Sequence, residues 1–492
     1  MQGKKTYQEK LFVNFQLSDY VPADNFYRQL KEQLDLRFLY KLTAEYYGTE
    51  GQKSIDPVVF MKLMLVGYLE NLNSDRRIIV TSRLRMDILY FIDHDLGEEL
   101  PWHSTLSRTR QLYGEHVFTE LFKQVLKQCI DKGMVSGRRQ AVDGFFIKAN
   151  ASLDSMVEKE IMDDADAYSR ELQNNEEAPV PITKLEKRDK PNDKGLKPRK
   201  NPSNDTHYSP SDPDAKMSVK PGKATALNYL GQVAVDTATH MITHVQAFTA
   251  DKRDSECLAA VLRRMKGTLL ENNLSLEEVV ADTGYSSADA LKALQASGVT
   301  GYIPNRGQFN FERDGFVFNA GKDHYQCVNG KLLTYRGTYL TAGYFMKHYS
   351  ANRKDCADCP FKKECSAYKK KNTLIKETID KPYYDIMHVR MQTRKAKILM
   401  KLRQSTVEPV IGTLVNYLGI KRVNAKGLNQ ANKCLTMAAI AYNLKKMLRY
   451  RPKSIQSNLK ALKDQLNSFI DRIYIFINLS NLTLQMPPLK II

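Results

Sequence analysis

At 492 residues the chain exceeds the size at which a single core keeps growing, so two to four structural units are expected. Lys plus Arg number 74 against 55 for Asp plus Glu, and the formal charge of +19 favours a polyanionic partner such as DNA or RNA. No window holds the roughly 18 uninterrupted apolar residues of a membrane span. Met1 leads into polar sequence without a signal-peptide core, so a cytoplasmic protein without membrane contact is expected. The seven cysteines, odd in number and unevenly spaced, read as thiols or metal ligands and not as a disulfide framework.

Residues 1–135 read as an all-helical domain, with apolar residues at helical spacing in Phe26 to Leu42, Pro57 to Leu72 and Phe118 to Ile130. The run from Trp102 to Arg110 offers a cap before a short helix with Arg108 and Arg110 on its exposed side. Such a helix can enter a major groove or be an ordinary surface helix. From Arg138 the pattern changes, and Gln140 to Lys148 has the β-branched and aromatic character of a buried strand. Asp143 lies inside it.

Residues 151–215 interrupt the fold. An acidic stretch from Glu158 to Asp166 leads into Lys184 to Lys200, a Pro-, Lys- and Asn-rich run too polar to fold alone. Tyr229 to Val235 and Met241 to Phe248 follow as a hairpin, then a helix from about Ser255 to Glu271. Glu277 to Asp282 reads as a buried strand with the acid at its carboxyl end, where sites form in open α/β sheets. The spacing from Ser286 to Asp289 predicts a capped helix start, and Gly301 to Pro304 one more strand. Residues 305–395, rich in Tyr, Asn, Lys and Gly, form an insertion with four of the cysteines. Ser405 or Thr406 can cap, and Pro409 suits a first turn, so Glu408 is expected to open a helix towards Tyr417, with Gly412 allowing close backbone approach. Residues 453–492 read as a helical tail, amphipathic at first.

Asp143, Asp282 and Glu408 together suit hard divalent cations, which prefer oxygen ligands. Phosphodiester chemistry uses two such ions roughly 3.5 to 4 Å apart. Cys327, Cys356, Cys359 and Cys365 contain one Cys-x2-Cys pair, which suits either a closed structural Zn²⁺ site or unligated thiols, with His324 and His348 as further candidates. Cys129, Cys257 and Cys434 sit in apolar contexts as small core residues.

Several motifs in order carry a family resemblance. They are Ala-Val-Asp143-Gly, Ser-Asp-Pro-Asp-Ala-Lys216, Gln-Val-Ala-Val-Asp236, Ala-Asp282-Thr-Gly-Tyr285, Val-Glu408-Pro, Lys426-Gly-Leu428 and Ala-Tyr-Asn443-Leu-Lys-Lys-Met. Across about residues 10 to 450 the chain resembles DDE transposases of bacterial insertion sequences, in the branch with an N-terminal helical domain and a cysteine-bearing insertion. The resemblance implies an α/β, ribonuclease H-like catalytic core, here residues 136–304 plus 396–452. It implies that Asp143, Asp282 and Glu408 bind two Mg²⁺ or Mn²⁺, and that the partners are element ends and target DNA held by a homodimer or higher multimer at the nucleoid. A DNA-binding derivative that no longer cuts, or a structure-specific nuclease, would share the core. Val415 stands where similar transposases carry a lysine, and Phe145 where relatives often have a small or polar residue. Lys421, Arg422 and Lys426 lie close behind Val415; they, Lys148 and Arg403 are the remaining candidate DNA contacts.

Overall fold

The computed structural model describes residues 15–48, 50, 54–159, 202–219, 224–307, 311–341, 343–369 and 372–450. Most of the charged linker and the expected C-terminal tail lie outside the described residues.

The N-terminal part is helical: α1 (Leu17–Tyr20), α2 (Phe26–Gln33), α3 (Phe38–Leu42), α4 (Pro57–Leu69), α5 (Asp75–Leu84), α6 (Met86–Ile92), α7 (His103–Leu112) and α8 (Glu115–Asp131). Asp56 shows why α4 begins where it does. Its carboxylate accepts from the backbone N–H groups of Val58 and Val59, and Pro57 fills the first helical position, which needs no N–H. The single helix expected over Phe26 to Leu42 is two helices. Leu34 is extended, Asp35 accepts from Arg37 N, and Leu34 and Leu36 are both buried, so the break sends two leucines inward that one straight helix would not.

The central sheet runs from β1 (Arg139–Lys148) through β4 (Lys216–Ser218), β5 (Ala226–Asp236), β6 (Ile242–Thr249), β7 (Glu278–Val280) and β8 (Thr300–Tyr302); β2 (Val157–Glu158) and β3 (His207–Tyr208) pair separately. Strand β1 pairs antiparallel with β5 and parallel with β7, β7 pairs parallel with β8, and β6 lies antiparallel on the far side of β5. Ten of the eleven β5 residues are buried, as a strand covered on both faces requires. Helices α9 (Asp254–Glu271) and α10 (Ala288–Ala296) flank the sheet, and Ser287, one residue later than expected, caps α10 by accepting from Ala290 N.

The insertion is a second antiparallel sheet: β9 (Phe316–Asn319), β10 (His324–Cys327), β11 (Leu332–Thr341), β12 (Tyr344–Ser350), β13 (Tyr368–Lys369) and β14 (Asn372–Thr378), with the short helix α11 (Arg353–Ala357). Phe316, Tyr325, Leu333, Tyr349 and Ile375 give it an apolar cluster of its own. The chain is back on the first sheet earlier than the expected boundary at residue 395. Helix α12 (Lys381–Gln392) buries Met387, and Arg390 donates to the Gly301 carbonyl in β8 at 2.9 Å.

Two long helices complete the described chain, α13 (Arg394–Tyr417) and α14 (Leu428–Arg449). Helix α14 seals the outer edge of β6 with two amides. Asn443 Nδ2 donates to Ile242 O at 2.9 Å and its Oδ1 accepts from Ile242 N at 3.0 Å. Asn432 treats Ala247 the same way, accepting from its N at 2.7 Å. Both amides are buried, and Asn443→Ala would leave two backbone groups without partners. A loss of about 3 kcal/mol in unfolding free energy is expected, measurable by chemical denaturation.

Candidate active site

The strand register brings the first two acids together. Ala141 and Val280 are the last pair of the parallel ladder, and Asp143 and Asp282 each stand two residues beyond it on adjacent strands. Asp143 is therefore inside β1 and Asp282 just past the end of β7, as expected from sequence. Asp282 caps the turn Thr283–Tyr285, its Oδ1 accepting from Gly284 N at 2.9 Å. Asp143 Oδ1 accepts from Gly144 N at 2.9 Å.

Glu408 corrects one expectation. It does not open a helix: α13 starts fourteen residues earlier, capped by Thr393, whose hydroxyl accepts from Ala396 N, and Pro409 lies inside the helix. A proline there removes one helical hydrogen bond, a cost of about 3 kcal/mol in isolation. Burial of Thr406, Val407, Val410 and Leu414 against the sheet keeps the helix continuous through it. Gly412 has open space around it and no close backbone, contrary to expectation.

Arg403 joins the three acids. It is 5 % exposed, not the outward DNA contact expected. Its guanidinium lies 2.9 Å from Asp143 Oδ2, 3.8 Å from Asp282 Oδ2 and 3.8 Å from Glu408 Oε1. Asp143 is the most enclosed of the acids, while the Glu408 side chain is 58 % exposed. Burial pushes the Asp143 carboxyl up to about 6; Arg403 and the Gly144 N–H oppose this, while Asp282 and Asp254 add to it.

Divalent cations suit this donor set. Three carboxylates supply hard oxygens, which in this structure are paired with Arg403. Gly284 leaves a cradle, since a Cβ there would stand 2.9 Å from Asp282 Oδ1. No three His, Cys, Asp or Glu side chains among the described residues are grouped to hold a metal ion. The same holds for the cysteines. Cys327, Cys356, Cys359 and Cys365 line one cavity, where Cys356 and Cys365 contact the Thr373 hydroxyl and Asn329 Nδ2 donates to Cys359 Sγ. His324 and His348 are not among the residues lining it. Cys129, Cys257 and Cys434 are buried, as expected.

The basic candidates separate. Lys148 ends β1, donates its N–H to the Lys421 carbonyl and bridges Arg422, so Lys148, Lys421 and Arg422 form one exposed patch, with Lys426 a few residues on. Arg108 is exposed on α7, but Arg110 is not. Arg110 is 4 % exposed, paired with Asp75 and in contact with Met64 Sδ, because its face of α7 packs against α4 and α5. Its carbonyl accepts from Lys433 on α14. Asp254 and Gln232, joined by a 2.6 Å hydrogen bond, stand beside Gly144, and the sequence marked neither. An acid opening a helix is commonplace, and the only available signal was the pair of glycines beside Asp143 and Asp282.

Two family models match the chain. Residues 15–112 match a transposase domain (DUF772) and residues 326–448 match a transposase DDE domain. The chain is a DDE transposase, an enzyme that cleaves DNA strands and transfers them. Glu408 lies within the second match, and Asp143 and Asp282 lie between the two. No curated protein matches. Among solved structures, a piggyBac transposase synaptic complex with hairpin DNA is similar at 11 % identity and TM-score 0.32, covering 94 % of this chain and 82 % of its own. A Mos1 transposase paired-end complex with left transposon end follows at 7 % and 0.16, covering 54 % and 64 %. The Mos1 mariner paired end complex with Mn stands at 8 % and 0.16, covering 58 % and 73 %. Among the described residues no helix is long and apolar enough to cross a membrane.

The raised value at Asp143 has a definite sign for stability. The folded chain keeps this proton up to about pH 6, whereas an ordinary carboxyl releases it near 3.8. The group's contribution is therefore most favourable at low pH and falls as pH rises through that window, by at most about 3 kcal/mol. With divalent cations chelated, Asp143→Asn is expected to gain stability relative to the parent from pH 4 to 6 and no further above it. Denaturant titrations at pH 4, 5, 6 and 7.5 check this.

Proposed function

We propose that the chain cuts DNA at the ends of its own insertion sequence and joins the freed ends to target DNA, with Asp143, Asp282 and Glu408 holding two Mg²⁺ or Mn²⁺. The observation that carries this is the convergence of the three acids, from three separate elements, on one buried positive charge. The sheet supports it: three antiparallel strands, β6, β5 and β1, followed by parallel β7 and β8, is the arrangement we read as a ribonuclease H-like core.

Bound cations would activate water for strand hydrolysis and stabilise the leaving oxygen. The chain's own residues do the rest. Asp143 and Asp282 are fixed by the strand register and by the N–H groups of Gly144 and Gly284. Arg403 offsets their mutual repulsion. Glu408, on the same helix, is the most accessible of the three to DNA. The exposed patch of Lys148, Lys421, Arg422 and Lys426 suits phosphate contacts that fix register without reading sequence. Helices of residues 1–135, with Arg108 exposed, are assigned to end recognition. The enzyme acts at the nucleoid as a homodimer or larger assembly, since two element ends must be handled together. The cysteine cavity of residues 305–395 is assigned to structural Zn²⁺ or to thiols that pack the insertion.

Incubating the protein with Mg²⁺ and DNA carrying the element ends tests the reading. Nicking at the ends is expected, with Asp143→Ala, Asp282→Ala and Glu408→Ala each slower by three or more orders of magnitude, which corresponds to about 4 kcal/mol of lost transition-state stabilisation. Equal nicking by parent and Asp143→Ala refutes the assignment. Zinc content is measured separately on the parent and Cys356→Ser, and equal content in both excludes a zinc site that uses Cys356.

A further inference from the structure

Helix α5 presents three arginines to solvent on one face. At 3.6 residues per turn Arg76, Arg77, Val80, Arg83 and Leu84 fall within a sector of about 120°, and all five are exposed. Ile78, Ile79 and Ser82, on the opposite side, are buried. The charge of the outer face is uncompensated. Of the acids between residues 70 and 87, Glu70 and Asp87 pair with Arg85 at 2.8 and 2.6 Å, and Asp75 pairs with the buried Arg110. Arg76, Arg77 and Arg83 have no ion pair among the described residues. A helix face that serves only to meet water commonly intersperses both signs at i, i+4 spacing, and this one carries arginine alone. Between the arginines stand two large apolar side chains, Val80 at 55 % and Leu84 at 78 % exposure.

The helix is also tied to the catalytic core. Asn73, just before α5, and Ile78 within it line one small cavity with Gly419, Ile420 and Arg422 of the loop between α13 and α14. Asn71 Nδ2 donates to Asn416 O at 3.4 Å. The same loop carries Lys421, whose carbonyl accepts from Lys148 N, five residues past Asp143 on β1. The first turn of α5, with Arg76 and Arg77, is thus anchored to the basic loop that is itself anchored to the strand of Asp143. Ten residues make a rod roughly 15 Å long, and a major groove about 12 Å wide admits a helix. Guanidinium forks match guanine edges and phosphates, and apolar side chains match thymine methyl groups. Helix α7 offers less, because Arg110 is turned inward and Arg108 alone faces out.

We propose that α5 is the helix that enters the major groove of the element's end, with Arg76, Arg77 and Arg83 on base edges and flanking phosphates and Val80 and Leu84 towards the groove floor; this rests on the reading that the chain acts at the ends of its own element. Three unpaired guanidinium groups call for a polyanion, and DNA is the polyanion a transposase handles. Phosphates alone give Val80 and Leu84 nothing to meet, whereas base edges do.

Binding of the full chain to two fluorescent duplexes, one carrying the element end and one of scrambled sequence, is measured by anisotropy with divalent cations chelated, so that no strand is cut. The parent should prefer the end. Arg76→Ala and Arg83→Ala should each weaken binding to the end about 10-fold, and binding to the scrambled duplex less. Leu84→Ser removes apolar surface and no charge, so it should lower the preference while leaving the salt dependence of binding unchanged. Arg108→Ala on α7 should keep the parent's preference. If the arginine variants weaken both duplexes equally, or Leu84→Ser keeps the full preference, α5 touches the backbone alone and the groove assignment is wrong. If the α5 variants bind the end like the parent, or Arg108→Ala abolishes the preference in their place, α5 is not the recognition helix. A parent with no preference for the end refutes the end-recognition reading itself, and the proposal falls with it. The substituted side chains are all exposed, and unchanged helical circular dichroism separates a lost contact from a lost fold.

Discussion

Carboxylates brought this close repel one another, and the guanidinium of Arg403 is what the described site provides against that repulsion. It reaches Asp143 on β1, Asp282 after β7 and Glu408 on α13, three elements far apart in sequence. Each element must then be positioned to within about an ångström for one side chain to serve all of them. The register of β1 with β7 does this for the aspartates, and the continuous α13 does it for Arg403 and Glu408, which share a helix only five residues apart. Arg403 Nε, buried and without a hydrogen-bond partner, shows how far packing has been subordinated to the placement of its two terminal nitrogens.

The sheet was legible because its strands carry strong local signals. β-Branched and aromatic content marked β1, a hairpin of two strand-like runs marked β5 and β6, and the buried run ending at Asp282 marked β7. The position of Glu408 was not legible, since proline is the strongest local sign of a first turn and only burial of the residues around it overrides that sign. Arg110 and Arg403 show the same limit for charge. Both looked like solvated or DNA-facing arginines, and both are buried by partners distant in sequence: Asp75 for one, the acid triad for the other.

The insertion was recognised by composition but not by architecture. Its aromatic residues build an antiparallel sheet with its own core, and Tyr325 and Tyr349 spend their hydroxyls on Glu377 and Asp323. Cysteine spacing alone could not say whether the sulfurs gather. They line one cavity through contacts between α11, the loop after β10 and the segment before β13.

The pair of amides from α14 has a consequence for assembly. An unpaired strand edge invites another chain to continue the sheet. At Ile242 and Ala247 the groups that would receive such a strand are already engaged by Asn443 and Asn432. Another chain therefore cannot extend the sheet at those two positions. The cap thus keeps the far side of the sheet from becoming a template at these positions, and leaves the register of the acid-bearing strands to the sheet's own pairing.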